Sequence, residues 1–147
     1  MTPRPSFEAA RRSRTYVLDC EALSKAVRGD RAVLALLAEA RTCGISVVTS
    51  ALTTLEAWDP RSGVKARLWD WTLSRITVVH TDDDIVASAR ALMKNAGLHG
   101  HKYAIDAVLA AVALAGARRG GQVTVLTSDV DDLERLLAGH RVVVEPV

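Results

Sequence analysis

The chain has 147 residues, of which 49% are hydrophobic and 24% charged, with a formal net charge of +2. This length and composition predict one globular domain with a real core. No apolar run reaches the roughly 18–20 residues needed to cross a bilayer, and no signal-peptide-like stretch opens the sequence, so a membrane span is excluded and a cytoplasmic protein is expected.

The charges are unevenly distributed along the chain, and the two cysteines form no recognisable pattern. Four arginines against Glu8 give residues 1–14 a net charge of +3, which leaves −1 for the rest, so total charge does not indicate a nucleic-acid-binding domain. We interpret residues 1–14 as a disordered basic tail, with an RNA-binding arm as the alternative. Cys20 and Cys43 have no disulfide or zinc-ligand pattern and are expected to be buried thiols in a reducing compartment.

Five short apolar runs predict strands. They are TYVLD (15–19), SVVTS (46–50), ITVVH (76–80), QVTVLTS (122–128) and RVVVEP (141–146). The strands do not alternate between apolar and polar residues, and helical segments separate them. This pattern predicts an α/β domain over residues 15–147, with a parallel five-stranded sheet covered by helices on both faces and the last strand at an edge.

The segments between the strands have helical periodicity. The predicted helices lie at 21–28, 31–43, 51–58, 64–74, 82–94, 103–117 and 129–138. Side chains suited to cap them are Asp30, Ser50, Thr81 and the pair Ser128 and Asp131.

Four acids fall where a parallel sheet would gather them. Asp19 ends the first predicted strand and Asp129 directly follows the fourth, so they face each other if those strands are neighbours. Glu56 in ALTTLEAW and Asp106 in YAIDAVLAAVALAGA are single charges on otherwise apolar helices. A carboxylate in such a setting must be paired, hydrogen-bonded, protonated or bound to a metal.

The chemistry of such a cluster is specific. Carboxylates close together repel each other unless a proton or a cation intervenes. Oxygen ligands without Cys or His select hard cations, Mg²⁺ or Mn²⁺. Because Mg²⁺ keeps bound waters, one water can attack a phosphate whose charge the metal neutralises. The pattern therefore indicates metal-dependent phosphodiester chemistry.

Each acid also has a plain structural interpretation, which the sequence leaves open. Asp19 and Asp129 can cap the helices that follow, Asp106 can be a first-turn helix acid, and Glu56 can be solvated. Four further polar residues could either support the metal ligands or serve only as caps and surface groups: Glu21, Thr127, Ser128 and Asp132.

Four stretches together resemble the PIN domain, and more narrowly the VapC-type ribonuclease toxins of type II toxin–antitoxin systems. They are TYVLDCEALSKAV (15–27), TTLEAW (53–58), HKYAIDAVLAAVAL (101–114) and VLTSDVDDL (125–133). The resemblance implies a three-layer α/β/α sandwich, Mg²⁺- or Mn²⁺-dependent endoribonuclease activity, a homodimer, and inhibition by an antitoxin encoded beside the toxin. Trp58, Trp69 and Trp71 are of a type most often found in the core, but the resemblance implies that the helices around them lie where the antitoxin docks and the protomers pair.

The resemblance carries over to individual residues. Asp19, Glu56, Asp106 and Asp129 match the four family acids, and Thr127 and Ser128 match the adjacent hydroxyl positions. The implied roles are metal binding by Asp19, Asp106 and Asp129, and metal binding or water orientation by Glu56. Cys20 and Glu21 depart from the family pattern, in which a small or hydroxyl residue often follows the first acid. An inhibitory antitoxin would insert an arginine among these acids.

An RNA substrate needs cations to offset an acidic site. The candidates flank the Glu56 and Asp106 helices, and each can equally be a solvated surface residue. They are Arg61, Lys65, Arg67, His99, His101 and Lys102.

Three other functions remain in competition. A housekeeping PIN nuclease would act on RNA without an antitoxin, and a non-catalytic module would keep the fold alone. Other folds with acid clusters fit poorly, because ITVVH lacks the acceptor aspartate of a receiver domain and DCE is not the DxD of a dehalogenase-like phosphatase.

Overall fold

The computed structural model describes residues 14–62 and 66–147. The predicted tail, apart from Arg14, therefore lies outside the described residues, and so do Val64 and Lys65. In the part described, no helix is long and apolar enough to cross a membrane.

One sheet of five parallel strands runs through the centre, in the order β3-β2-β1-β4-β5. Its strands are β1 (Arg14–Leu18), β2 (Ser46–Ser50), β3 (Thr77–Val79), β4 (Gln122–Thr127) and β5 (Val142–Pro146). The predicted parallel sheet is confirmed, as is the edge position of the last strand. The order reverses between β1 and β4, which are direct neighbours.

The helices of the described residues fall close to the predicted segments. They are α1 (Cys20–Val27), α2 (Arg31–Thr42), α3 (Ala51–Glu56), α4 (Ala66–Ser74), α5 (Asp83–Ala96), α6 (Gly100–Arg118) and α7 (Val130–Leu136), with a 3₁₀ turn at Pro60–Ser62. Helix α3 ends two residues earlier than predicted. There the Trp58 N–H bonds to the Leu55 carbonyl three residues back, which tightens the chain before Pro60.

The two faces of the sheet carry different helical layers. Val17 and Val125 point to the face that α5, α6 and α7 cover, while Leu18 and Leu126 point to the face that α1, α2 and α4 cover. Alternate strand residues point to opposite faces, so both core layers are apolar and the strands show no polar alternation. The predicted three-layer α/β/α sandwich is confirmed.

Helix α6 is the central helix of its layer. Every residue from Ala107 to Leu114 is buried, as expected for a helix that is apolar nearly all round. The helix begins at Gly100, three residues before the predicted start. Asp106 is consequently its seventh residue and lies in the second turn, so the interpretation as a first-turn acid is wrong.

Two predicted caps are confirmed and two are wrong. Asp30 and Ser50 cap α2 and α3 by accepting backbone N–H groups. Asp82, not Thr81, caps α5, because its carboxylate accepts the Ile85 N–H at 2.9 Å. At α7 the cap position is Asp129 rather than Ser128, and its side chain makes no capping hydrogen bond. The expectation of a buried Cys43 is also wrong, since that thiol is exposed on the turn after α2.

We predict that Leu109→Ala lowers the free energy of unfolding by about 2–5 kcal/mol, because Leu109 is 1% exposed at the centre of α6. Leu55→Ala is the matched control, since Leu55 is 72% exposed, and it is expected to change stability by less than about 0.5 kcal/mol. Urea unfolding of both variants measures the difference. Equal losses would contradict the placement of α6 in the core.

Candidate active site at the carboxyl edge of the sheet

The carboxyl ends of β1 and β4 meet at the point where the strand order reverses. Leu18 and Leu126 are partners in the ladder, and the Asp19 N–H donates to the Leu126 carbonyl at 3.1 Å. Asp19 is only 4% exposed. In open parallel sheets ligands bind in the crevice outside this position.

The carboxylate of Asp19 is held through both of its oxygens. Oδ1 accepts the Ala22 N–H at 2.8 Å, which caps α1, and Oδ2 accepts the Ser128 N–H at 3.0 Å, which ties β1 to the residue after β4. The capping interpretation of Asp19 is therefore correct, yet capping uses only one of its oxygens. Because each carboxylate oxygen has about two acceptor sites, acceptor capacity remains on both.

Thr127 links Asp19 to Asp129. Its buried hydroxyl hydrogen-bonds to the Asp19 carboxylate and accepts the Asp129 N–H at 2.8 Å. This bond orients the backbone at the start of α7, where the Asp129 side chain is exposed and makes no cap. The side chain of Ser128 is exposed, and only its backbone N–H reaches Asp19.

Glu56 reaches the same edge from α3. This short helix directly follows β2 and contacts both α1 and α6. Its start is fixed by Ser50, whose hydroxyl accepts the Thr53 N–H at 3.1 Å. Glu56 is the last residue of the helix and is exposed.

The local polar support includes one residue that sequence reasoning missed. Thr49 is fully buried, and its hydroxyl donates to the Leu18 carbonyl at 2.8 Å, which joins the ends of β1 and β2 just before Asp19. A threonine among the last residues of a buried strand was the available signal.

The four acids interact electrostatically. Burial raises the pKa of Asp19, against hydrogen bonds from Ala22, Thr127 and Ser128 that lower it, and the charge of Asp129 adds to the rise. Burial, followed by the charges of Asp19 and Asp129, raises the pKa of Glu56.

Asp106 has the largest of these shifts. Burial raises its pKa to about 6, and the charges of Asp129, Glu56, Asp132 and Asp19 add to the rise. The acids predicted from four separate stretches therefore lie near enough to one another for their charges to interact, and Asp132 lies close enough to Asp106 to act on it.

The donor set is suited to a hard cation, because every acid contributes only oxygen. As placed, however, no group of three His, Cys, Asp or Glu side chains within residues 14–62 and 66–147 is close enough to hold a metal ion. Repulsion between the carboxylates favours this separation, whereas a cation bound between them would attract each of them. Ligation would require the side chains to draw together, for which the exposed Glu56 and Asp129 have most room.

The two residues directly after Asp19 are Cys20 and Glu21. Glu21 forms an ion pair with Arg28 of the same helix at 3.2 Å. Burial, followed by the charge of Glu56, raises the pKa of the Cys20 thiol to about 11, so this thiol is neutral near pH 7 and is not a nucleophile.

Those of the predicted RNA-binding cations that the structure describes are exposed at the surface. His101 and Lys102 are exposed in the first turn of α6, and Arg67 is exposed on α4. Arg61 pairs with Asp59 at 3.2 Å. Lys65 lies outside the described residues. The His99 ring packs edge-on against Tyr103 at 5.8 Å.

A separate apolar cavity of about 720 Å³ lies between α2 and α4, at the amino ends of β2 and β3. Leu34, Leu37 and Trp71 line it, and the Arg75 guanidinium lies 4.3 Å from the Trp71 ring centre. Of the three tryptophans, Trp58 and Trp71 are exposed, and Trp69 packs edge-on against Trp58 at 5.0 Å.

No protein-family model and no curated protein sequence matches this chain. Its structure does have a close match in fold: a chain of the crystal structure of VapBC2 from Rickettsia felis bound to a DNA fragment from their promoter. The TM-score is 0.67, and the match covers 90% of this chain and 98% of that one at 15% sequence identity. The fold is PIN-like. At 15% identity this likeness establishes the fold and not the activity.

We predict that Asp106→Asn stabilises the metal-free protein above pH ~6 by about 1–2 kcal/mol, a value reduced for partial exposure to solvent. The folded-state pKa is raised, so the folded protein binds the proton more tightly and stability of the parent falls as pH rises from about 4 to about 6. The difference between variant and parent should therefore vanish toward pH ~4.

Urea unfolding in a chelator, repeated across this pH range, measures the effect. Asp70→Asn is the matched control, because Asp70 is an exposed acid on α4 and is not among the groups whose charges act on Asp106. A gain that is the same at every pH would contradict a raised pKa at Asp106.

Proposed function

We propose that this protein is a Mg²⁺- or Mn²⁺-dependent endoribonuclease and acts as the toxin of a toxin–antitoxin pair. The observation that carries the proposal is the set of mutually interacting carboxylates, Asp19, Glu56, Asp106 and Asp129, at the strand-order reversal of a PIN-like fold. Clustered acids without nitrogen or sulfur donors favour hydrolysis of a phosphate ester with a hard cation.

In this proposal Asp19, Asp106 and Asp129 hold the metal. Asp19 is the fixed member, because backbone donors on two elements orient its carboxylate. Asp106 is mounted on the rigid central helix α6, and Asp129 adjusts from the exposed start of α7. The bound cation supplies charge neutralisation for the phosphate and a more acidic water.

Glu56 is assigned to the attacking water. The pKa of Glu56 is raised toward neutral pH, which suits a general base that accepts a proton from water. Attack of the water oxygen on phosphorus breaks the bond to the 3′ oxygen, which leaves a 5′-phosphate on one fragment and a 3′-hydroxyl on the other. Asp132 acts through Asp106 by adding negative charge beside it.

We predict that Asp106→Asn lowers Mg²⁺- or Mn²⁺-dependent RNA cleavage by at least about 100-fold while the protein remains folded. Asp106 accepts no hydrogen bond from a described residue that the amide would disrupt. Asp19→Asn should also abolish cleavage. It should in addition reduce stability, because the amide NH₂ would replace an oxygen that accepts the N–H of Ala22 or Ser128, and two donors would then face each other.

Sequencing of 5′-phosphate RNA ends after expression, with Asp131→Asn as the matched control on α7, measures the loss. Cleavage that Asp106→Asn leaves intact would overturn the site, and cleavage that persists in EDTA would overturn the metal. Cleavage without growth inhibition would favour the housekeeping alternative, and intact RNA binding without any cleavage would favour the non-catalytic one.

We further propose that the inhibitory partner is an antitoxin that packs an apolar helix into the cavity between α2 and α4. Two features support this placement: the cavity is lined by Leu34, Leu37 and Trp71, and α2 and α4 expose it at the surface. The comparison structure is likewise a VapBC2 assembly. Arginine donors on the antitoxin would complement the acids, and a homodimer is part of the same proposal.

We predict that Trp71→Ala weakens binding of the proposed antitoxin by about tenfold or more, because a half-exposed tryptophan in a cavity is a typical binding hot spot. Cleavage by the free toxin should change less than about twofold, since Trp71 lies at the opposite edge of the sheet from the acids. Val86→Ala on α5 is the control. Unchanged affinity in a complex that does form would move the antitoxin elsewhere.

A further inference from the structure

One part of the sheet is left uncovered by the helices described. On the face that carries Leu18 and Leu126, helices α1, α2 and α4 cover the β1, β2 and β3 side. Toward the amino ends of β1, β4 and β5, the same face opens into a cavity of about 740 Å³. The opposite face is closed by α5, α6 and α7.

The strand register defines which side chains this open face presents. Arg14 pairs with Gln122, Tyr16 with Thr124, and Thr124 with Val143, and paired residues in parallel strands point to the same side. All five line the cavity. Val143 is 54% exposed, although it lies within a strand.

The charge on this face is positive. Arg14 begins β1 and Arg141 directly precedes β5, and these two strands lie about 10 Å apart on either side of β4, with His140 next to Arg141. Glu145 is the acid that lines the same cavity. Neither Arg14 nor Arg141 makes an ion pair with another residue of the described ranges.

The end of α6 borders this cavity without adding a charge to its lining. Ala117, Gly120 and Gly121 line the cavity, and the two residues between them, Arg118 and Arg119, are exposed. The Arg119 guanidinium folds back to within 3.9 Å of the position a Cβ on Gly116 would take, next to Val123, whose side chain packs in the core of the opposite face. The arginines that line the open patch are therefore Arg14 and Arg141.

The positive charge of this face could attract a polyanion that the acids at the carboxyl edge repel. Asp19, Glu56, Asp106, Asp129 and Asp132 make the carboxyl edge repel a polyanion, and Arg61, one of the cations predicted to offset them, is paired with Asp59. The basic face lies at the other end of the same strands, about 17 Å away. RNA held there by its phosphates would reach the acids without their having to attract it.

We propose that the open face formed by β1, β4 and β5, with Arg14 and Arg141 at its centre, binds the phosphate backbone of RNA at a distance from the scissile bond. The inference rests on the proposed function for its choice of RNA over other polyanions. It restricts the substrate class to RNAs that span both ends of the sheet, and it assigns affinity to this face and cleavage to the acids.

The decisive variant is Arg14→Glu with Arg141→Glu in the full chain. Arg31→Glu with Arg90→Glu is the matched control, because both residues are exposed on helices and the net charge changes equally. Binding of a labelled RNA longer than the sheet is measured in a chelator, so that cleavage plays no part. We expect about tenfold weaker binding in the first pair, a salt slope reduced by about 1.4 for two lost single-strand phosphate contacts, and little change in the control.

Two further variants keep the test decisive if the double substitution is poorly folded. Arg14→Lys with Arg141→Lys keeps the charge and should restore binding to within about threefold. Val143→Glu should weaken RNA binding, whereas Val86→Glu, at a site 39% exposed on α5, should not. Cleavage of an RNA too short to span the sheet should be unaffected by any of them.

Each outcome either supports or overturns the proposed RNA-binding face. Equal losses in the Arg14/Arg141 and Arg31/Arg90 pairs, or no loss in either, would overturn the proposal, and so would a loss confined to duplex DNA or to a protein partner. If the acids cleave RNA while the Arg14/Arg141 variant binds normally, only this inference fails. If the face binds RNA but Asp106→Asn changes no cleavage, the proposed nuclease site fails instead.

Discussion

The parallel pairing of β1 with β4 is the contact on which the rest of the site depends. It joins segments more than 100 residues apart and ends in the hydrogen bond from the Ser128 N–H to Asp19. Because the strand order reverses here, α1 and α7 pack on opposite faces of the sheet, and in such folds a ligand crevice is expected at this point, next to Asp19 and Asp129. Helices α3 and α6 approach the same crevice and bring Glu56 and Asp106 to it.

The site gathers negative charge that the fold only partly compensates. Asp19 is stabilised by donors on both oxygens, and these bonds oppose the rise in its pKa caused by burial. Asp106 accepts no such bond from the residues that the structure describes, and its pKa rises to about 6. A fold that keeps such a cluster loses stability near neutral pH, which is typical of sites arranged for a bound cation or a proton transfer.

The sheet also separates charges along its strands. Acids lie beyond the carboxyl ends of β1 and β4, while arginines lie at the amino ends of β1, β4 and β5. The helical layers of the described residues are unequal, since one packs against residues of all five strands and the other leaves the β4–β5 side open. The same five strands therefore support an acidic edge, a basic open face and an apolar cavity between α2 and α4.

The sequence by itself determined the elements that local patterns control. Unbroken apolar runs fixed the strands, periodicity fixed the helices, and Asp30 and Ser50 acted as the caps their side chains allow. The order of the acids along the chain, read with the family resemblance, pointed to one shared site. Only the tertiary structure decided that β1 neighbours β4, that Asp106 lies in a second helical turn, and that the Ser128 N–H bonds to Asp19 while the expected cap at α7 does not form. The reason is physical: periodicity and capping act within a few residues, whereas strand order and the field at a carboxylate depend on groups that approach from distant parts of the chain.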